Sequence, residues 1–204
     1  MSYRRPTAIS QPKQSSAFVF PVTATNPILT SGRADHSLRK LLYDFFTVGA
    51  RLEDVRRHLG TKVDLTGPQY SLMMAVAELQ GSDGVNVSRV ADYLHVTGTF
   101  VTAESGKLFK KGFLKKRPDV VDKRFSLLSI APKGQAALNS LFPLLQQIND
   151  IFFELDSRGE FERLCEVLEK LVGNSQRALA LIHATNQDPR FTLSGNGIDI
   201  SKRK

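Results

Sequence analysis

Residues 86–130 constrain this chain more than any other stretch. Asn86 precedes a short helical pattern, Val87 to Leu94, and Thr97 precedes a second that runs to Lys111. A side-chain oxygen at either place satisfies free N–H groups of a first helical turn, so both residues read as caps. His95 and Val96 leave room only for a turn, and Gly112 closes the second helix. Two β-type runs follow, Phe113 to Arg117 and Phe125 to Ile130, flanking the turn-prone segment Pro118 to Lys123. Two short helices, a brief turn and a hairpin are the winged helix-turn-helix pattern, with the second helix presented outward.

That stretch is also basic. Between Lys107 and Arg124 stand Lys107, Lys110, Lys111, Lys115, Lys116, Arg117, Lys123 and Arg124, against Asp119 and Asp122 only. The whole chain carries a formal charge of +8, with an isoelectric point near 9.7. An acidic polymer is the natural partner of such a surface, although solubility alone accounts for charge of this size.

Several function classes drop out. A single cysteine, Cys165, excludes an internal disulfide framework, and its place in step with Leu164, Leu168 and Val172 reads as core filling. His36, His58, His95 and His183 form no chelating spacing, so no metal is expected. No glycine-rich phosphate loop and no nucleophile paired with a base is present, so the chain does not read as an enzyme and no cofactor is expected. No apolar run approaches the roughly 18 residues needed to span a bilayer. The run after Arg4 and Arg5 is short and ends at Pro21, which makes a poor signal peptide, and the expected location is the cytoplasm.

The flanks are helical. Residues 1–34, rich in Ser, Thr, Pro and Gln, read as a flexible arm. From Asp35, apolar residues fall three and four apart (Leu38, Leu41, Leu42, Phe45, Val48, Leu52, Val55, Leu59), with Gly60 as the stop. Thr66 and Pro68 start a helix that runs to about Leu79. After Pro132 a long helix carries Leu138, Leu141, Leu145, Ile148, Phe152 and Leu155, and a last one carries Phe161 to Ile182. These outer stripes exceed what a compact winged helix needs, and a twofold dimer would cover the surplus. The expected fold is mainly α with a small β-hairpin wing, a winged helix-turn-helix flanked by N- and C-terminal dimerisation helices. Residues 35–62 and 135–185 would form the dimerisation region and 63–134 the winged module, with 186–204 a polar basic tail.

On these residues the chain resembles the MarR family of winged-helix transcriptional regulators, over roughly Asp35 to Ala184. The most specific likeness is in the wing: Lys116 to Asp119, then Asp122-Lys123-Arg124, then Leu128-Ser129-Ile130 and Gly134. Leu65 to Val76 resembles the family's second helix, and Leu108 to Arg117 the end of its reader helix. The resemblance implies a homodimer on double-stranded DNA carrying a pseudo-palindromic operator, a repressor released by a small aromatic or phenolic acid. The alternative is an architectural or protein-interaction module with little sequence-specific DNA binding.

Carried over residue by residue, Asp122 orients Arg124 into a minor groove. Thr97, Thr99 and Thr102 face the duplex, and Lys107, Lys110, Lys111 and Lys123 meet phosphates. Thr97 reads equally as a cap alone, and the lysines as solvating charge. Position 103, often basic in relatives, is Ala103, while Glu104 and Ser105 stand where relatives are usually apolar. A carboxylate there needs a partner, with Arg89 and His95 as candidates. An effector site between the first two helices and the reader would draw on His36, Arg39, Tyr43, Tyr70, Ser71 and Glu104.

Overall fold

The computed structural model describes residues 18–32, 34–119 and 126–187. Among these, the order is α1 (His36–Thr61), α2 (Gly67–Leu79), β1 (Val85–Asn86), α3 (Val87–Leu94), α4 (Gly98–Lys110), β2 (Leu114–Pro118), β3 (Ser126–Ile130), α5 (Pro132–Phe152) and α6 (Arg158–Gln187). The chain divides into two compact units, 1–141 and 142–204, so α5 begins in the first and ends in the second. No helix among the described residues is long and apolar enough to cross a membrane.

In the first unit α2 is the central element. Tyr70, Leu72, Met73, Ala75 and Val76 are all buried, which leaves it little polar face and explains its mostly apolar sequence. Its neighbours contribute Leu59 from α1, Val90 from α3, Val101 and Leu108 from α4, and Leu114 and Leu128 from the sheet. Fully burying one such side chain stabilises a fold by about 1.5–3 kcal/mol, so this cluster fixes the base on which α3 and α4 sit.

The start of α2 is more elaborate than a cap and a proline. Thr66 Oγ1 accepts from the Gln69 N–H, and the Gln69 side chain accepts in return from the Thr66 N–H, both at 3.3 Å. This reciprocal capping box satisfies two otherwise free donors. Asn86 and Thr97 cap as expected, accepting from Arg89 N at 2.8 Å and Phe100 N at 3.2 Å. His95 turns the chain between α3 and α4 in the left-handed region (φ 53°).

Three expectations change. Gly60 does not end α1, which continues to Thr61; the left-handed turn falls at Asp64 (φ 59°). Gly60 is needed for close approach, since a Cβ there would lie 2.8 Å from the Leu65 carbonyl oxygen. The wing is not a simple hairpin, because β1 adds a third antiparallel strand in the order β1-β3-β2, with Val85 opposite Leu128. Pro118, expected in the turn, is the last paired position of β2, opposite Ser126. It sits on an edge strand, where its missing N–H breaks no ladder.

The N-terminal arm has an anchor. Thr23 donates to Asp35 Oδ2 from its backbone N–H (2.7 Å) and its hydroxyl, and Arg39 pairs with Asp35 Oδ1. The Arg39 guanidinium also lies over the Phe20 ring, 4.6 Å from its centroid. The two Thr23 hydrogen bonds, with help from Arg39, hold the Asp35 carboxyl below its ordinary range despite burial.

In the second unit, α6 carries exposed Val167, Leu168, Leu171, Val172, Leu179, Leu181 and Ile182. Cys165 is exposed as well, so it does not fill a core within a single chain.

Candidate nucleic-acid interface

The periodicity of α4 decides which side faces out. Val101, Ser105 and Leu108 recur at helical spacing and are fully buried. Burial of a serine in that row is tolerated because its hydroxyl donates to the Thr102 carbonyl at 3.2 Å. Thr99, Thr102, Ala103, Lys107 and Lys110 are exposed. Thr97 is exposed too, but its hydroxyl is already engaged as the cap. The outward surface is therefore a threonine-bearing face with a small centre at Ala103.

The three lysines of this helix are not equivalent. Lys111 Nζ donates to the Asp64 carbonyl at 2.7 Å, which ties it to the turn between α1 and α2. Lys107 Nζ donates to Glu104 Oε1 at 2.6 Å. Lys110 makes no ion pair or hydrogen bond among the described residues and is the free cation of the helix.

Glu104 has different partners from those expected. Neither Arg89 nor His95 meets it; its Oε2 accepts from Gln69 Nε2 at 3.1 Å, while Lys107 holds Oε1. The side chain is 13% exposed. The Lys107 ammonium, aided by Gln69 and opposed by partial burial, holds its carboxyl below the usual range. Gln69 thus serves both the capping box of α2 and the reader helix. Nothing in the sequence reading singled it out, although a Thr-x-x-Gln spacing at a helix start is a recognisable signal.

At the wing, Arg117 Nη2 donates to the Asp83 carbonyl at 2.5 Å, fastening β2 to the loop before β1. Asp122, Lys123 and Arg124 lie outside the described residues.

The residues expected around an effector are divided between sites. His36 lines a cavity of about 380 Å³ beside Asp35, and Arg39 reaches its ring Nδ1 at 2.9 Å. Tyr43 is exposed on α1, edge-on to Phe46. Tyr70 is buried, which pushes its hydroxyl pKa up. Ser71 lines a smaller cavity of about 180 Å³ with Glu53, Arg56, Pro68, Leu94, Val96 and Phe100. Its Oγ is buried with no hydrogen-bond partner among the described residues, an arrangement that costs about 1–3 kcal/mol unless something supplies one. Glu104 belongs to neither cavity. No group of three or more His, Cys, Asp or Glu side chains among the described residues could hold a metal.

No family model matches the chain. Among curated proteins it is 25% identical over 109 residues to the transcriptional regulator HosA of Escherichia coli O127:H6, a match covering 53% of this chain and 78% of that protein. Among solved structures it is similar to a MarR protein from Peptoclostridium difficile, at 18% identity and a TM-score of 0.59, covering 82% of this chain and 99% of that one. The S. aureus MepR–DNA complex aligns at 17% identity and 0.55, over 65% and 96%. CouR from Rhodococcus jostii RHA1, bound to p-coumaroyl-CoA, aligns at 16% identity and 0.57, over 64% and 90%.

Proposed function

We propose that this chain, which has the fold of the MarR-family regulators, is a homodimeric transcriptional regulator that binds a pseudo-palindromic operator. The observation that carries the reading is the outward face of α4. Val101, Ser105 and Leu108 bind the helix to the core, and Thr99, Thr102 and Lys110 stand clear of it. Hydroxyls and methyls at those places suit base edges, and an unpaired lysine suits a phosphate. MepR, of similar fold, is solved on DNA.

Dimerisation is supported by apolar surface. On α1, Leu41, Leu42, Tyr43, Phe45, Phe46 and Val48 are exposed, and α6 displays its own row. Contiguous apolar surface on this scale marks association. In a twofold dimer two reader helices fall about one duplex turn apart.

The regulator acts as a repressor released by a small aromatic or phenolic acid. Supporting this are the apolar walls of the Ser71 cavity, the Ser71 hydroxyl, which has no partner among the described residues, and Arg56, which lines the cavity paired with Glu53, together with the p-coumaroyl-CoA bound to CouR. In the wing, Asp122 orients Arg124 toward the minor groove and Lys123 meets a phosphate.

A binding titration on DNA flanking the protein's own gene tests the reading. Arg124→Ala should weaken operator binding by about 1–3 kcal/mol and leave the dimer intact. Unchanged affinity would remove the inserted wing. Equal, weak binding to every duplex would favour an architectural module instead.

A further inference from the structure

Glu104 is an acid on the helix assigned to an acidic partner, and that placement has a local explanation. Its two oxygens are both committed. Oε2 is held by Gln69 Nε2, and Gln69 is itself fixed by the capping box at the start of α2. Oε1 faces Lys107 Nζ, one helical turn further along the exposed side of α4. An ordinary surface pair at this spacing wanders, because both side chains are free. Here the carboxylate is mostly buried and braced from another helix, so the Lys107 ammonium is drawn back onto its own helix. Lys110 has no such brace among the described residues. Lys111 is likewise held, by Asp64.

We propose that Glu104 is a specificity-determining positioning residue, which withholds Lys107 from the phosphate backbone and so limits sequence-blind adhesion by the reader helix. The proposal rests on the DNA-binding reading above. Every phosphate neutralised by a lysine releases counterions and adds affinity for all sequences alike. A regulator that must distinguish one site among many gains by leaving such contacts unmade, since the ratio of specific to non-specific affinity decides occupancy. A basic chain of charge +8 already has ample generic attraction for DNA. The brace also explains why the acid is tolerated near a polyanion: its charge is spent on Lys107 and Gln69.

The test uses the full-length protein and a random-sequence duplex, with binding followed by fluorescence anisotropy across a salt series. Glu104→Gln keeps the side-chain shape and a partner for Gln69 but drops the charge that holds Lys107. It should steepen the slope of log K against log salt by about 0.9, the increment for one added phosphate contact. It should also raise non-specific affinity several-fold and lower the specific-to-non-specific ratio. The double variant Glu104→Gln with Lys107→Met, which removes both charges, should return to the wild-type slope. An unmoved slope in Glu104→Gln overturns the proposal. A double variant that keeps the steeper slope overturns it too, by assigning the effect to Glu104's own charge. A wild-type chain that binds no duplex at low salt overturns the reading beneath it, which is a different result from any of these.

Discussion

Replacing Gly134 with alanine tests how the wing root meets α5. Alanine ordinarily improves a helix position by about 1 kcal/mol over glycine. Here the added Cβ would lie 2.3 Å from the Phe113 carbonyl oxygen and 3.2 Å from the Ile130 side chain. An ordinary nonbonded separation is about 3.5 Å, so the carbonyl must retreat by about 1 Å. That oxygen accepts the Ala131 N–H at 2.9 Å, and the retreat would weaken a bond worth about 1 kcal/mol. Overpacking of this kind costs about 1–3 kcal/mol. Set against the propensity gain, Gly134→Ala should destabilise the protein by about 1–3 kcal/mol. Gly106 provides the control, because a Cβ there meets nothing within 4 Å. Gly106→Ala should therefore stabilise by up to about 1 kcal/mol. Urea denaturation at one fixed protein concentration reads both, as midpoints moving in opposite directions at unchanged slope. A Gly134→Ala protein as stable as the parent would refute the close approach.

Three further outcomes are expected. Thr66→Ala removes the cap on α2 and should cost about 1 kcal/mol in the same denaturation assay; a shift under a few tenths would mean that the capping box is ornamental. Lys110→Ala should flatten the salt dependence of duplex binding by about 0.9 in log–log slope at every sequence, and a slope equal to the parent's would take Lys110 off the phosphates. The Asp35 carboxyl is held low in the folded chain, so its contribution is present above the unfolded-state pKa and is lost as pH falls through the lowered value. Protection of the Thr23 amide, its exchange rate relative to that of an unstructured chain at the same pH, should therefore hold at neutral pH and be lost only in acid; no protection at any pH would mean that the arm is not anchored there.

Much of this architecture was legible because local signals agreed with one another. Asn86 and Thr97 cap where their side chains predict, and Gly112 adopts the positive φ expected of a helix stop. Gly60 misled because glycine serves two purposes, left-handed turns and close approach, and sequence does not say which. The strand at Val85–Asn86 was missed because two residues carry no periodicity; β3 recruits it through tertiary pairing. The candidate interface was less legible for a related reason. Charge counting treated Lys107, Lys110 and Lys111 alike, whereas Glu104 and Asp64 hold two of them. Those partners come from one turn away in one case and from 47 residues away in the other, and only the fold brings Gln69 to Glu104.

The central claim, that this is a dimeric reader of a specific operator, is tested most directly by footprinting the DNA that flanks its own gene. The account predicts sharp protection of one pseudo-palindromic site, bound by two chains whose reader helices lie about one duplex turn apart. Weak protection spread evenly over all sequences, or a single chain at the site, would contradict it.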